Sequence, residues 1–240
     1  MKGVVLAGGL GTRLYPLTYA TNKHLLPIYN KPMVFYPLET LLRADISEIL
    51  VVVGGPHAGH FIQVLRNGKQ LGVKHLEFAY QEKEGGIAQA LALAEDFADG
   101  ESIAAILGDN TTDVDISEQV KSFEDGAMVF LKEVPDPERF GVPVFDKEDS
   151  KKIMAIEEKP KKPQSNFAVT GLYLYDNKVF SHIKSIKPSD RGELEITDVN
   201  NCYLREGKLR WAKLDGFWSD AGTFKTLYLA SRYWAEKVEK

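Results

Sequence analysis

Cysteine is nearly absent. Cys202 is the only one in 240 residues, so the chain closes no internal disulfide and has no second thiolate for a metal site, as expected of a reducing compartment. Histidine is scarce as well, with five. His57 and His60 fall on a possible shared helix face, but no third ligand accompanies them, so no zinc-type site is expected there. No GxSxG elbow and no Cys/His motif of nucleophilic catalysis occurs. Long hydrophobic runs are missing too: none approaches the roughly 20 apolar residues of a membrane-spanning helix. The segment "MKGVVLAGG" is too short and glycine-rich for a secretory signal. A soluble, cytoplasmic protein without a membrane partner is therefore expected. Nor does one sign of charge dominate. Thirty Lys and Arg against 34 Asp and Glu, formally -4 and mixed along the chain, leave no basic footprint for nucleic acid. Any phosphate this chain holds is expected on a small molecule.

What is present is a chain of 44% hydrophobic content, enough to bury one full core, and a single domain over residues 1–240 is expected. Its first half alternates β-branched apolar runs, "GVVLA", "EILVVVG", "HLEFAY" and "SIAAILG", with helical patterns, "KPMVFYPLETLLRAD" and "GIAQALALAEDFA". That alternation predicts βαβ units with helices on both faces of a parallel sheet. After about Gly126 the strand candidates crowd together, "GAMVFLKEV", "GVPVFD", "KKIMAIEEK" and "FAVTGLYLYD", before two more helices. The fold class expected is α/β: a Rossmann-like three-layer sandwich with a mainly parallel central sheet and an added, partly antiparallel region. Residues 1 to about 125 are expected to form one part and residues from about 126 to 240 another. The last helix is expected to pack on a stripe of Phe224, Leu227, Tyr228 and Ser231, and "KPKKPQSN" reads as a surface turn.

A glycine-rich loop directly behind the first strand of such a sheet is where nucleotide phosphates sit. Here that loop is "AGGLGTR". A Walker A loop requires GxxxxGK followed by Ser or Thr, which no segment supplies. A dinucleotide fingerprint requires GxGxxG, but Gly9 and Gly11 are followed by Leu14 at the third glycine position. There remain bare backbone amides at Gly8, Gly9 and Gly11 and the forked donors of Arg13; a plain tight turn with an incidental arginine is the competing interpretation.

"LAGGLGTRLYPLT" followed by "NKHLLPIYNKPMVFYPL" resembles the signature of the sugar nucleotidyltransferases, which join a nucleoside triphosphate to a sugar 1-phosphate. The resemblance is greatest to the short-form glucose-1-phosphate thymidylyltransferases. It continues in family order through "QEKEGGIAQAL", "ILGDN", "DPERFGV", "IEEKP", "VTGLYLYD", "RGELEITDVN" and "WSDAGT". The reaction it implies is attack of a sugar phosphate oxygen on the α-phosphorus of dTTP, with loss of pyrophosphate. That oxygen is already anionic near neutral pH and needs no general base. The difficulty is to bring two polyanions together, so cations and a metal are expected in place of a His or Ser nucleophile.

Carried over position by position, the resemblance implies that Arg13 holds the leaving phosphates and that Lys23 is a second cation near the reacting groups. Lys159 grips the sugar phosphate; local sequence alone would leave it a solvated surface charge. Asp109 and Asp220 are implied as ligands of Mg2+, which takes one or two carboxylates plus phosphate oxygens and water. From local sequence alone Asp109 would equally be a turn residue and Asp220 a helix cap. Nucleotide contacts fall to Leu6, Gly8, Gly9, Gly11, Thr12, Gln81, Gly85, Gly86 and Asp109. Gln81 is suited to a pyrimidine edge because an amide both donates and accepts. Sugar contacts fall to Asn110, Gly141, Glu158, Val169 and Tyr173. The resemblance makes residues 1 to about 125 the nucleotide-binding part and residues from about 126 to 240 the sugar-binding and C-terminal part.

Two departures stand out: His24 occupies a position that is glutamine in many relatives, and the segment after "LGDN" is the short "TTDVDIS". The chain also lacks the C-terminal extension from which long-form relatives build part of an allosteric site, so feedback there is not expected, while self-association is a family possibility. Two other classes compete with this one. Asp113 to Asp115, "DVD", suggests the metal pair of a glycosyltransferase, but Asp115 reads better as an N-cap with Glu118 completing a capping-box pattern. A non-catalytic nucleotide or sugar-phosphate sensor would be expected to have lost the charged residues that are all present. Another base, such as that of UTP, is the alternative within the same chemistry.

Overall fold

A computed structural model of the chain describes residues 1–239. In chain order the elements are β1 (Lys2–Ala7), β2 (Pro27–Ile28), β3 (Lys31–Pro32), α1 (Phe35–Arg43), β4 (Glu48–Gly54), α2 (Ala58–Leu65), β5 (His75–Gln81), α3 (Ile87–Ala92), α4 (Glu95–Ala98), β6 (Ile103–Leu107) and β7 (Asn110–Thr112). There follow α5 (Ser117–Lys121), β8 (Ala127–Glu133), β9 (Gly141–Phe145), β10 (Ile153–Glu158), β11 (Phe167–Tyr175), α6 (Val179–Ser185), α7 (Ile196–Arg205), β12 (Leu209–Lys213), β13 (Trp218–Asp220) and α8 (Phe224–Val238).

The large sheet runs β11-β6-β1-β4-β5 through its centre, and β1, β4, β5 and β6 are parallel. β11 lies antiparallel to β6 and carries both β8, extended by β12, and the β9–β10 hairpin. The expected mainly parallel sheet with an antiparallel addition is therefore present. The inner parallel strands β1, β4 and β6 are apolar and buried along nearly their whole length because both faces are covered, whereas the edge strand β5 carries His75, Glu77 and Gln81. Val4 and Leu6 pack beneath α3, α4, α6 and α7, whereas Val5 and Ala7 pack against α1 and α2. Among the described residues no helix is long and apolar enough to cross a membrane.

Four local expectations are corrected. The single helix expected over "GIAQALALAEDFA" is split: Leu93 and Ala94 donate to carbonyls three residues back, which tightens the turn and separates α3 from α4. Three helices, not two, follow the crowded strands, interleaved with β12 and β13. Asp115 is not an N-cap with a capping box. The cap position of α5 is Ile116, and the Asp115 carboxylate accepts from Ser117 N–H at 2.9 Å and Ser117 Oγ at 2.5 Å.

The packing stripe of α8 is also displaced. Phe224 and Tyr228 are 51% and 64% exposed, while Ala230 and Trp234 are buried. The indole of Trp234 sets the rotation. It fills the space beside Tyr36, ring centroids 4.9 Å apart, and donates Nε1–H to Thr111 Oγ1 at 2.5 Å, and a buried indole needs that partner. The cluster it completes, with Leu14, Leu26, Ile28, Met33 and Ala221, anchors the far side of the glycine loop.

Candidate active site

One cleft of about 490 Å³ opens at the carboxyl ends of β1 and β6 and runs across to the β9–β10 hairpin. It is lined by every residue that the resemblance implies for the site except Gly85. The glycine loop forms one lip. Gly11 has φ +72°, a left-handed conformation, and caps a short 3₁₀ turn, Thr12–Leu14. Leu14 is fully buried, and Arg13 beside it lines the cleft. A Cβ on Gly11 would stand 2.7 Å from Lys23 Cβ, so the loop needs glycine for both conformation and room. Glu84 closes the loop from outside by accepting from Leu10 N–H at 2.8 Å.

Asp109 and Asp220, far apart in sequence, meet because β7 and β13 pair antiparallel with Asn110 opposite Asp220. Asp220 does not cap α8, since Thr223 does so through a capping box with Thr226. The point where a Cβ on Gly222 would lie is 3.0 Å from Arg13 Nη2, 3.2 Å from Asp220 Oδ2 and 3.4 Å from Asp109 Oδ2. Three charged groups thus converge on one bare α-carbon. Each carboxylate already holds a cation: Lys23 Nζ donates to Asp109 Oδ2 at 2.6 Å, and Arg139 Nη2 donates to Asp220 Oδ2 at 2.9 Å.

The two carboxylates titrate in opposite directions. Burial alone would raise Asp109, but the Lys23 ammonium, with hydrogen bonds from Lys23 and Asn110, holds it well below the usual carboxylate range. Asp220 is raised, by burial first and then by the Asp109 charge, against the pull of Arg139 and Arg13. Asn110 is held within the wall: its Oδ1 accepts from Trp218 Nε1 at 2.8 Å and Gly171 N at 3.1 Å, and its Nδ2 donates to Asp109 at 3.1 Å.

His24 is buried between these charges, with Nδ1 2.7 Å from Asn22 Oδ1. Because that oxygen only accepts, Nδ1 is assigned the proton. Burial, followed by the adjacent Lys23 ammonium, pushes His24 down from 6.5 to about 3. It is neutral at neutral pH and adds no charge to the cleft. The histidine pair His57 and His60 is merely stacked, centroids 5.2 Å apart. Among the described residues no group of three or more His, Cys, Asp or Glu could hold a metal, so any cation held by Asp109 and Asp220 would draw further ligands from a bound molecule and water.

Across the cleft Glu158 ends β10. Its Oε2 accepts from Thr197 Oγ1 at 2.5 Å, and its Oε1 lies 3.3 Å from Lys159 Nζ and 3.8 Å from Arg191 Nη2. Lys159 has φ +44°, a strained conformation for a side chain of this size, held by its N–H donating to Phe140 O at 2.9 Å. β9 pairs with β11 only at Gly141 and Val169; beyond Val169 the β11–β8 register shifts before resuming at Tyr173. Tyr173 is buried, and burial together with the Glu158 charge raises its phenol. The halves are stitched at the base of the cleft, where Leu194 N–H donates to Gly85 O at 2.8 Å and Ala88 N–H to Leu194 O at 3.2 Å.

Sequence reasoning missed Arg139, Arg191 and Thr197. All three sit in motifs of the family signature, "DPERFGV" and "RGELEITDVN", but nothing local distinguishes them from solvated side chains. Asp220 reaches Arg139 and Glu158 reaches Thr197 only through the fold, while Arg191 is held by Glu193 and Glu195 of its own motif, each at 2.9 Å, with Glu158 3.8 Å away.

The fold and this cleft are those of an enzyme class that transfers nucleotidyl groups, and the chain belongs to the nucleotidyl transferase family, whose model matches residues 2–237. It is 44% identical over 238 residues to the glucose-1-phosphate thymidylyltransferase of Xanthomonas campestris pv. campestris, covering 97% of this chain and 80% of that one. It is 42% identical over 239 residues to that of Neisseria meningitidis, covering 97% and 82%. Among solved structures it superposes with TM-score 0.91 and 49% identity on a Bacillus anthracis protein described as a candidate glucose-1-phosphate thymidylyltransferase, crystallised with sucrose; the match covers 97% of this chain and 94% of that one. A UDP-glucose pyrophosphorylase complexed with UDP-glucose shares the fold at TM-score 0.83 and 22% identity.

Proposed function

We propose that this protein is a glucose-1-phosphate thymidylyltransferase: it transfers a deoxythymidylyl group from dTTP to α-D-glucose 1-phosphate and releases pyrophosphate. The dTDP-glucose formed would supply deoxysugar or rhamnose synthesis. The observation that carries the reading is the convergence of Arg13, Asp109 and Asp220 on Gly222, facing Glu158 and Lys159 across one cleft. The identity of 44% to a relative of that name supports the choice of substrates.

In this reading the bare amides of the loop and Arg13 receive the triphosphate, with Arg13 on the leaving β and γ phosphates. Lys159 holds the sugar phosphate, and Glu158, oriented by Thr197, accepts from sugar hydroxyls. The attacking oxygen is anionic, so no residue removes a proton, and neutral His24 is not a base. Alignment of attacking oxygen, phosphorus and leaving group, with charge neutralised on both sides, supplies the acceleration. Asp109 and Asp220 fit a Mg2+ ion. Their Oδ2 atoms face one point, and the ionised form of Asp220, disfavoured by burial, is the form a divalent cation stabilises. Bound there, the ion would supply charge neutralisation of the phosphates.

Thymine and uracil differ by one methyl, worth roughly 1 to 3 kcal/mol in an apolar pocket, so turnover of UTP at a reduced rate is expected. The test is pyrophosphate release from each nucleoside triphosphate against several sugar 1-phosphates, with and without magnesium. Turnover greatest with dTTP and glucose 1-phosphate, abolished by excess chelator, is expected. Unchanged turnover in chelator would remove the metal, and no turnover with any pair would leave a sensor.

A further inference from the structure

Two glutamines at the far end of the cleft settle each other's orientation. An amide side chain can ordinarily be turned end for end, since its oxygen and nitrogen are alike in size. Here the choice is removed by a backbone group. Gly85 N–H can only donate, and it is shared between Gln89 Oε1 and the carbonyl of Lys83, each at 2.9 Å. The same Oε1, which can only accept, is 3.1 Å from the Gln81 amide nitrogen. Gln81 therefore turns Nε2 toward Gln89, with the carbonyl of Gly86 as a second acceptor at 3.5 Å. Its own Oε1 is left pointing the other way, over Gly8, where a Cβ would stand 2.3 Å from that oxygen.

Gln81 is buried, so a lone pair left facing another lone pair is not relieved by water. Gly85 is part of the device: a Cβ there would fall 2.3 Å from the atoms of the Gln89 amide.

We propose that Gln89 is a positioning residue that locks the Gln81 carbonyl toward the base, so that the cleft selects pyrimidines presenting a ring N–H, thymine and uracil, over cytosine, whose ring nitrogen is an acceptor. The proposal rests on the reading that this end of the cleft holds the base. Removing the Gln89 acceptor frees the Gln81 amide to turn and present N–H instead, which cytosine accepts.

The test is equilibrium binding of dTTP, dUTP and dCTP to the intact chain by calorimetry. The wild type is expected to bind dTTP and dUTP at least about tenfold more tightly than dCTP, as one unmatched buried polar group implies. Gln89→Met should narrow that ratio about tenfold. Gln89→Glu, whose carboxylate accepts from both N–H groups, should preserve it. Gly85→Ala displaces Gln89 from the other side and should narrow it as well, which keeps the test open where the methionine variant does not fold. A general loss of packing lowers all three affinities together and leaves the ratio unmoved. An unchanged ratio in both narrowing variants, or loss of discrimination in Gln89→Glu, overturns the role of Gln89 while leaving the proposed function standing. Failure of the wild type to bind any of the three overturns both.

Discussion

His24 makes the fold sensitive to mild acid in a way that can be computed and removed. Its ring is buried and neutral, pushed from 6.5 down to about 3. Between those two values the unfolded chain binds a proton that the folded chain refuses, so stability falls as pH falls from 6.5 toward 3. The slope is about 1.4 kcal/mol per pH unit for one such group. From neutral pH to about pH 4.5 the loss is roughly 2 to 3 kcal/mol, which for a chain of this size lowers the melting midpoint by about 5 to 10 °C. Asp109, held below the usual carboxylate range, contributes stability that is lost only at still lower pH, so it lies outside this window. The perturbation is His24→Gln, which keeps an amide donor for Asn22 but has no titration. Urea unfolding of both proteins at about pH 7.5 and 4.5 gives the difference directly, because every other titrating group is common to the pair. The variant should lose roughly 2 to 3 kcal/mol less than the wild type on acidification. Parallel losses in the two proteins would mean that the folded state accommodates a charged His24, and the burial argument would fail.

Two further outcomes follow from the charges around Gly222. Asp109→Ala should lower pyrophosphate release by about 10²-fold or more, the scale of removing one preorganised electrostatic stabiliser; near-full activity in the folded variant would reduce Asp109 to a turn residue. Gly222→Ala puts a methyl 3.0 to 3.4 Å from Arg13, Asp220 and Asp109, so turnover should fall by about tenfold or more with little change in unfolding midpoint. Wild-type kinetics in that variant would show that the three groups need not share that space.

The features legible beforehand were those encoded within a few residues. The parallel strands announce themselves because burial on both faces demands unbroken β-branched runs, and the glycine loop because its conformation and crowding admit nothing larger. What escaped depends on meetings across the chain. The rotation of α8 could not be read from its own periodicity, since Phe224 and Tyr228 offer as good a stripe as Ala230 and Trp234. The deciding contacts, Tyr36 and Thr111, lie far upstream. Arg139 escaped for the same reason, because its role is visible only when β13 delivers Asp220 to it.

The pairing of charges in the cleft bears on how a polyanion would enter it. Asp109 and Asp220 point at one place, and left bare they would repel both each other and an incoming triphosphate. Lys23 and Arg139 cover them, so the two negative charges are balanced by two positive ones. A triphosphate offers these cations stronger partners than carboxylates do, because phosphate oxygens carry more charge and accept in several directions. Its arrival would draw Lys23 and Arg139 away just as the carboxylates gain a use in holding a divalent cation. On the proposed function, carboxylates and cations would thus exchange partners in one event, sparing the site an uncompensated buried charge, the state that burial penalises most.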